Sequence, residues 1–290
     1  MFGSVQGDEM NLVGLACVCL LSGLTALPFA ANAADFGTAV TADAPPSREW
    51  TLTVGGYVMS RPEFLGSADN DWGFMPLISI TRADRLSRFT SFNDSPSIAL
   101  YDSGTFEAGV AANMVWKRER SDNWVALQGL RNIDYAYELG GYAQVFPVDW
   151  LRVRGEVFYG FGGYEGVFAN FAADAIAFTD FWGGMTFSAG PRLELASSGF
   201  VDTYYGITVG ESIATGGELA PYDAKGGLYS VGLGGQIQKN FGNGFNASIF
   251  GEYRYLLGDA QDSPLVVQRG DPNQFTAGVS LSYTFFLGFE

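Results

Sequence analysis

The stretch "LRVRGEVFY" at 151–159 sorts its side chains onto two faces: Leu151, Val153, Gly155, Val157 and Tyr159 on one, Arg152, Arg154 and Glu156 on the other. Successive side chains of an extended chain point to opposite sides, so this is a strand with one apolar and one charged face. The pattern recurs. Met185, Phe187, Ala189, Pro191, Leu193 and Leu195 oppose Thr186, Ser188, Gly190, Arg192 and Glu194. Tyr229, Val231, Leu233 and Ile237 oppose Ser230, Gln236 and Gln238; Phe245, Ala247, Ile249, Tyr253 and Tyr255 oppose Asn246, Ser248, Glu252 and Arg254. Phe275, Ala277, Val279, Leu281, Tyr283 and Phe285 oppose Thr276, Ser280, Ser282 and Thr284. A soluble sandwich would turn the apolar face inward, and a membrane barrel would turn it outward to lipid. Strands of about ten residues span a bilayer when tilted, whereas strands of soluble sheets average nearer six. Tyr and Phe also gather near the strand ends, where a membrane interface would lie. The expected fold is all-β, an antiparallel transmembrane β-barrel of a Gram-negative outer membrane.

Loop lengths orient such a barrel, because short turns belong to the periplasmic side and long loops to the outside. The segments 146–150, 196–200 and 240–245 read as tight turns, and "DSG" at 102–104 as another. The segments 117–134, 164–180, 214–225 and 258–273 read as long outer loops. Two periplasmic termini require an even strand number. The expectation is about ten strands, with twelve as the alternative, because 72–101 divides ambiguously.

Residues 11–30 form an apolar core and "ANA" at 31–33 fits a signal-peptidase site, so 1–33 reads as an export signal. Asp8 and Glu9 are foreign to the start of such a signal, and translation from Met10 would remove them. Residues 34–48 read as a flexible periplasmic leader and 49–290 as the barrel. Both cysteines, Cys17 and Cys19, fall inside the signal, and the chain has no histidine. The mature chain therefore lacks disulfides, thiolate metal sites and imidazole. A net charge of −15 with three lysines argues against nucleic-acid binding, since phosphate contacts need clustered cations.

The absence of histidine also bears on catalysis. A serine nucleophile needs an adjacent base, and no imidazole is offered, so no enzyme activity, catalytic residue or cofactor is expected. The inward-facing charges are the candidate functional set: Glu107, Glu138, Arg152, Arg154, Glu156, Arg192, Glu194, Glu252 and Arg254. They read as a paired network filling a narrow lumen, or as the selectivity lining of a water-filled pore. "GFGGYEG" at 160–166 continues a strand and opens no helix, so it is not a phosphate loop. Asp259, Asp262 and Asp271 could bridge lipopolysaccharide through divalent ions, with a solvated loop as the plainer reading and no metal site assigned.

"TYYGIT" (203–208), "LAPYDAKGGLYSVGLGG" (219–235) and "YRYLLGDAQDSPLVVQRGDPNQFTAGVSLSYTF" (253–285) resemble the MipA/OmpV outer-membrane family. So do "GYVMSRPEFLGSADNDWGFMPLISI" (56–80) and "LQGLRNIDYAYELGGYAQV" (127–145). The most specific element is Gly258, Asp259, Ala260, Asp262, Ser263 and Pro264, expected in the last outer loop. The resemblance implies a non-enzymatic scaffold in contact with outer-membrane lipid and lipopolysaccharide. Its implied partners are a periplasmic murein hydrolase and a peptidoglycan synthase. A porin-like channel for small solutes and a surface adhesin are the alternatives. The oligomeric state is left open.

Overall fold

The computed structural model describes residues 50–82, 89–180 and 183–287. The expected signal and leader lie outside the described residues. Eleven strands form one antiparallel sheet: β1 (Trp50–Pro62), β2 (Asn70–Arg82), β3 (Ser97–Asp102), β4 (Phe106–Val115), β5 (Ala136–Val148), β6 (Leu151–Gly162), β7 (Gly166–Thr179), β8 (Met185–Ala196), β9 (Gly227–Gly242), β10 (Phe245–Leu256) and β11 (Asn273–Leu287). Apart from β2 and β3, neighbours in sequence are neighbours in the sheet, and β11 pairs with β1 from Trp50↔Leu287 to Ser60↔Ala277. The first and last strands are thus side by side within the wall, and the two edges of the described sheet are β2 and β3.

The wall is polar inside and apolar outside. On β6, Arg152, Arg154 and Glu156 are buried, while Val153 and Tyr159 stay 40% and 54% exposed. Phe275, Val279, Leu281 and Phe285 of β11 are likewise exposed. A soluble sheet would reverse this; lipid-facing strands require it.

The antiparallel order puts the links 103–105, 149–150, 180–184 and 243–244 at one end, with the start of β1 and the finish of β11. The links 63–69, 116–135, 163–165, 197–226 and 257–272 lie at the other. Two expected links are corrected. Residues 164–180 are mostly β7, not a loop; Phe168 and Ile176 share the inner face with Asn170 and Asp174, and alanines fill much of both faces, so the period-two contrast is blurred. Residues 196–200 are not a turn but lead into helix α1 (Ser198–Tyr205), whose buried Phe200, Val201, Tyr204 and Tyr205 follow helical spacing. Among the described residues the count is eleven, against an expectation of about ten or twelve: β7 is added, 72–101 divides into β2 and β3, and the stretch after 200, which would have supplied a strand, forms two helices instead.

Both β2 and β3 run toward the short-turn end, so the chain must climb between them. Residues 89–96 make that ascent inside the wall. Thr90 O accepts from Gln236 and Gln238 of β9, Asp94 meets Arg152 low on β6, and Ser95 meets Glu156 higher on the same strand. "FTSFNDSP" cannot serve as a lipid-facing strand: either alternating set mixes Phe with Ser, Thr, Asn or Asp, and a charge facing lipid is costly. Its polar groups find partners in the lumen instead.

The long-loop end is roofed by helices: α1, α2 (Val209–Ala214), α3 (Gly258–Gln261) and α4 (Pro264–Arg269). Phe200, Tyr204, Tyr205, Tyr229, Leu256 and Val266 form one apolar cluster under them. Phe64, Leu127, Leu130, Ile207, Leu219 and Leu265 form a second, which joins four separate loops. A bulge opposite Glu194–Leu195 turns Tyr229 into the first cluster, although strict alternation would have left it on the apolar outer face. There its hydroxyl lies 2.9 Å from that of Tyr205.

Candidate functional site

β6 delivers Arg152, Arg154 and Glu156 to the lumen at every second residue. Arg152 is fully buried. Its Nη1 and Nη2 donate to Asp94 at 2.5 and 3.0 Å, and its Nε and Nη2 to Asp174 of β7 at 3.1 and 2.7 Å. The Phe89 ring lies 4.8 Å from the guanidinium. Arg192 of β8 takes the other oxygen of Asp174 at 2.7 Å. Arg154 pairs with Glu156 at 2.6 Å, approaches Asp94 at 3.7 Å and lies over the Tyr142 ring at 4.1 Å. Glu156 also accepts from Ser95 and Asn170.

A second group forms on β8 to β10. Arg254 donates to Glu194 at 2.6 Å and pairs with Glu252. Glu194 accepts from Ser230 at 2.5 Å, and Glu252 accepts from Asn93. Toward β4 and β5, Glu107 accepts from Tyr142 at 2.5 Å, and Glu138 accepts from Tyr164 and from Asn113 at 2.8 Å. All nine charged residues singled out in the sequence lie on the inner face; eight are buried, and the Arg254 side chain keeps 34% exposure. The structure brings Arg152, Arg154, Glu156, Arg192, Glu194, Glu252 and Arg254 into one chain of contacts, and leaves Glu107 and Glu138 beside it with tyrosine partners.

Asp94 and Asp174 complete the network and were missing from the sequence-derived set, one in the ambiguous 72–101 segment and the other in the stretch read as a loop. Asn170 and Asp174 recur at even spacing with Ala172, which is the signal that β7 carried. Phe92 stacks on Phe250 at 4.2 Å and its N–H reaches Gln236, so 89–96 is fastened by rings as well as charges. The void left beside Asn93, Asp94, Arg154 and Arg254 is about 20 Å³, room for a single water.

The Gly-Asp-Ala-x-x-Ser-Pro element lies in the roof. Gly258 adopts φ +54, Ala260 is buried, and Asp259 accepts from the Lys225 N–H at 2.6 Å. Ser263 caps α4, accepting from Leu265 N, while its hydroxyl donates to Tyr205 O at 2.6 Å; Pro264 opens the helix. Asp262 faces solvent, and Asp271 accepts from Asn273. Among the described residues no cluster of three or more carboxylates is placed to hold a metal.

Other ties join the roof loops. Arg269 bonds Glu218 and the carbonyls of Ala126 and Gln128. Arg118 donates to Tyr204 O at 2.8 Å; burial first, then the Arg131 charge, pull its guanidinium down to about 10. Glu211 and Thr208 form a capping box on α2, and Arg131 adds a backbone and a side-chain bond to Glu211, both 2.8 Å.

Among solved structures the chain is similar to Pseudomonas aeruginosa OccK8 (OprE), with 10% identity, 83% of this chain and 98% of that chain covered, and a TM-score of 0.29. It is similar to Pseudomonas aeruginosa OprD at 8% identity, with 83% and 96% covered and a TM-score of 0.26. Likenesses this distant carry no argument. No curated protein matches the chain. The family model described as "MltA-interacting protein MipA" matches residues 54–285, most of the sheet and its whole roof, and the chain belongs to the MipA family.

Proposed function

We propose that the protein is a sealed barrel of the Gram-negative outer membrane that works by binding, without a catalytic step. In this reading it scaffolds peptidoglycan-remodelling enzymes on its short-turn, periplasmic side. The filled interior carries the sealed half of the reading: residues 89–96 occupy the lumen, the charged groups are paired across it, and the long-loop end is roofed by two apolar clusters. The outward apolar face supports the membrane setting. The partner half leans on the family description, which is interaction with MltA. A murein hydrolase is therefore the first partner to seek and a synthase the second. The absence of histidine supports the non-catalytic reading.

Crosslinking in intact envelopes followed by purification tests it. Co-purification of a murein hydrolase or synthase supports the scaffold. Its absence, with the barrel recovered intact, contradicts it. A surface adhesin is the second reading, favoured by Trp124, Val125, Ile213 and Val267, which stand exposed on the roof. Replacing Trp124 by Ser would then reduce cell adhesion while leaving enzyme capture unchanged.

A further inference from the structure

We propose that the inner face of β6 carries a binding site for a small carboxylate, and that Asp94 fills this site in cis. The Arg152 fork is engaged on two sides. Asp174 takes Nε and Nη2 from the wall, and Asp94 takes Nη1 and Nη2 from the segment inside the lumen. A planar guanidinium presented edge-on to two oxygens is the geometry that selects carboxylates. Arg154 adds a second cation 3.7 Å from Asp94 Oδ1. Phe89 covers one face of the Arg152 guanidinium and Tyr142 one face of the Arg154 guanidinium, so both cations are met at their edges.

Asp94 is presented as a ligand would be. It sits at the end of a tight turn in which Asp94 N bonds Ser91 O at 3.1 Å and Ser91 N bonds Asp94 Oδ2 at 2.9 Å. It belongs to no strand, and its side chain keeps 14% exposure. The small void lined by Asn93, Asp94, Arg154, Asn170, Arg192 and Arg254 lies directly beside it. Charge bookkeeping agrees. With Asp94 gone, Arg152, Arg154, Arg192 and Arg254 face Asp174, Glu156, Glu194 and Glu252, four against four, yet Arg152 Nη1 loses the carboxylate it now holds. A buried guanidinium edge without a partner is unfavourable enough to recruit a free anion of matching shape. In the intact protein the tether gives Asp94 a high effective concentration, so free carboxylates do not compete at moderate levels.

The test is chemical rescue on the purified full-length barrel, with heat-modifiable gel mobility as the unfolding readout. Asp94→Ala should lower the unfolding midpoint, and sodium acetate or formate should restore at least half of the loss, with saturation. Sodium chloride at equal ionic strength should not, and the wild type should be indifferent to both. In Asp94→Ala/Arg152→Lys, which keeps the charge but loses the fork, acetate should no longer rescue. If Asp94→Ala does not assemble unaided, the assembly yield of this same variant refolded in acetate against chloride replaces the midpoint. Equal rescue by chloride, or none by acetate, overturns the proposal. The assay involves no partner enzyme, so its outcome is separate from that of the scaffold.

Discussion

Arg152 and Asp94 meet through two hydrogen bonds of 2.5 and 3.0 Å, one standing on a wall strand and the other on the segment 89–96 that runs inside the wall. The pair fastens residues 89–96 into the lumen, and Asp174 holds the same arginine from the opposite side.

Replacing Arg152 by Met should destabilise the barrel by about 3–5 kcal/mol, because Asp94 and Asp174 would both lose their shared cation in a buried setting. Separating the exposed pair Lys225–Asp223 should change stability by less than about 1 kcal/mol. Urea unfolding of barrels refolded into liposomes measures both.

The roof should respond to packing rather than charge. Leu127→Ala or Leu265→Ala empties a fully buried position in the cluster that joins the outer loops, a loss of about 2–5 kcal/mol. The expected readout is faster protease nicking within 116–135 and 257–272, with the strands still resistant.

Glu211 should make the roof sensitive to acid. Burial alone would raise its carboxyl, but the backbone N–H groups of Arg131 and Thr208, the Thr208 hydroxyl and the Arg131 guanidinium together hold it below its ordinary value of 4.5. A depressed carboxyl stabilises fully above that ordinary value, and the contribution is lost as pH falls through the lower folded value. Glu211→Gln should therefore nick faster than the wild type at neutral pH, and the gap should close in strong acid.

Gly160 leaves room for the Tyr164 ring: a Cβ there would stand 2.1 Å from Tyr164 Cζ. Gly160→Val should displace Tyr164 from Glu138 and from Phe200. A loss of Tyr164 protection from chemical iodination would show it.

Much of this was legible in the sequence because the wall strands alternate cleanly. β6, β8, β10 and β11 have apolar outer faces and polar inner ones, and their charged residues follow from period two. Legibility failed where the inner face itself is apolar. β7 mixes Phe168 and Ile176 with Asp174, so its periodicity fades, and Tyr229 is turned inward by a bulge that no local residue announces. The path of residues 89–96 could be argued only in part. Their unsuitability for a lipid-facing strand is visible in "FTSFNDSP", but the partners waiting in the lumen come from β6, β9 and β10, far away in sequence. The Gly-Asp-Ala-x-x-Ser-Pro element read as an outer loop, and its work proved to be helix capping and roof packing through Ser263 and Ala260.

Single-protein recording in a planar bilayer tests the central claim, that this interior is filled, most directly. The wild-type barrel should insert without steady current at low voltage, because 89–96 and its ion pairs lie across the lumen. A steady, ohmic conductance from the unaltered protein would contradict the account.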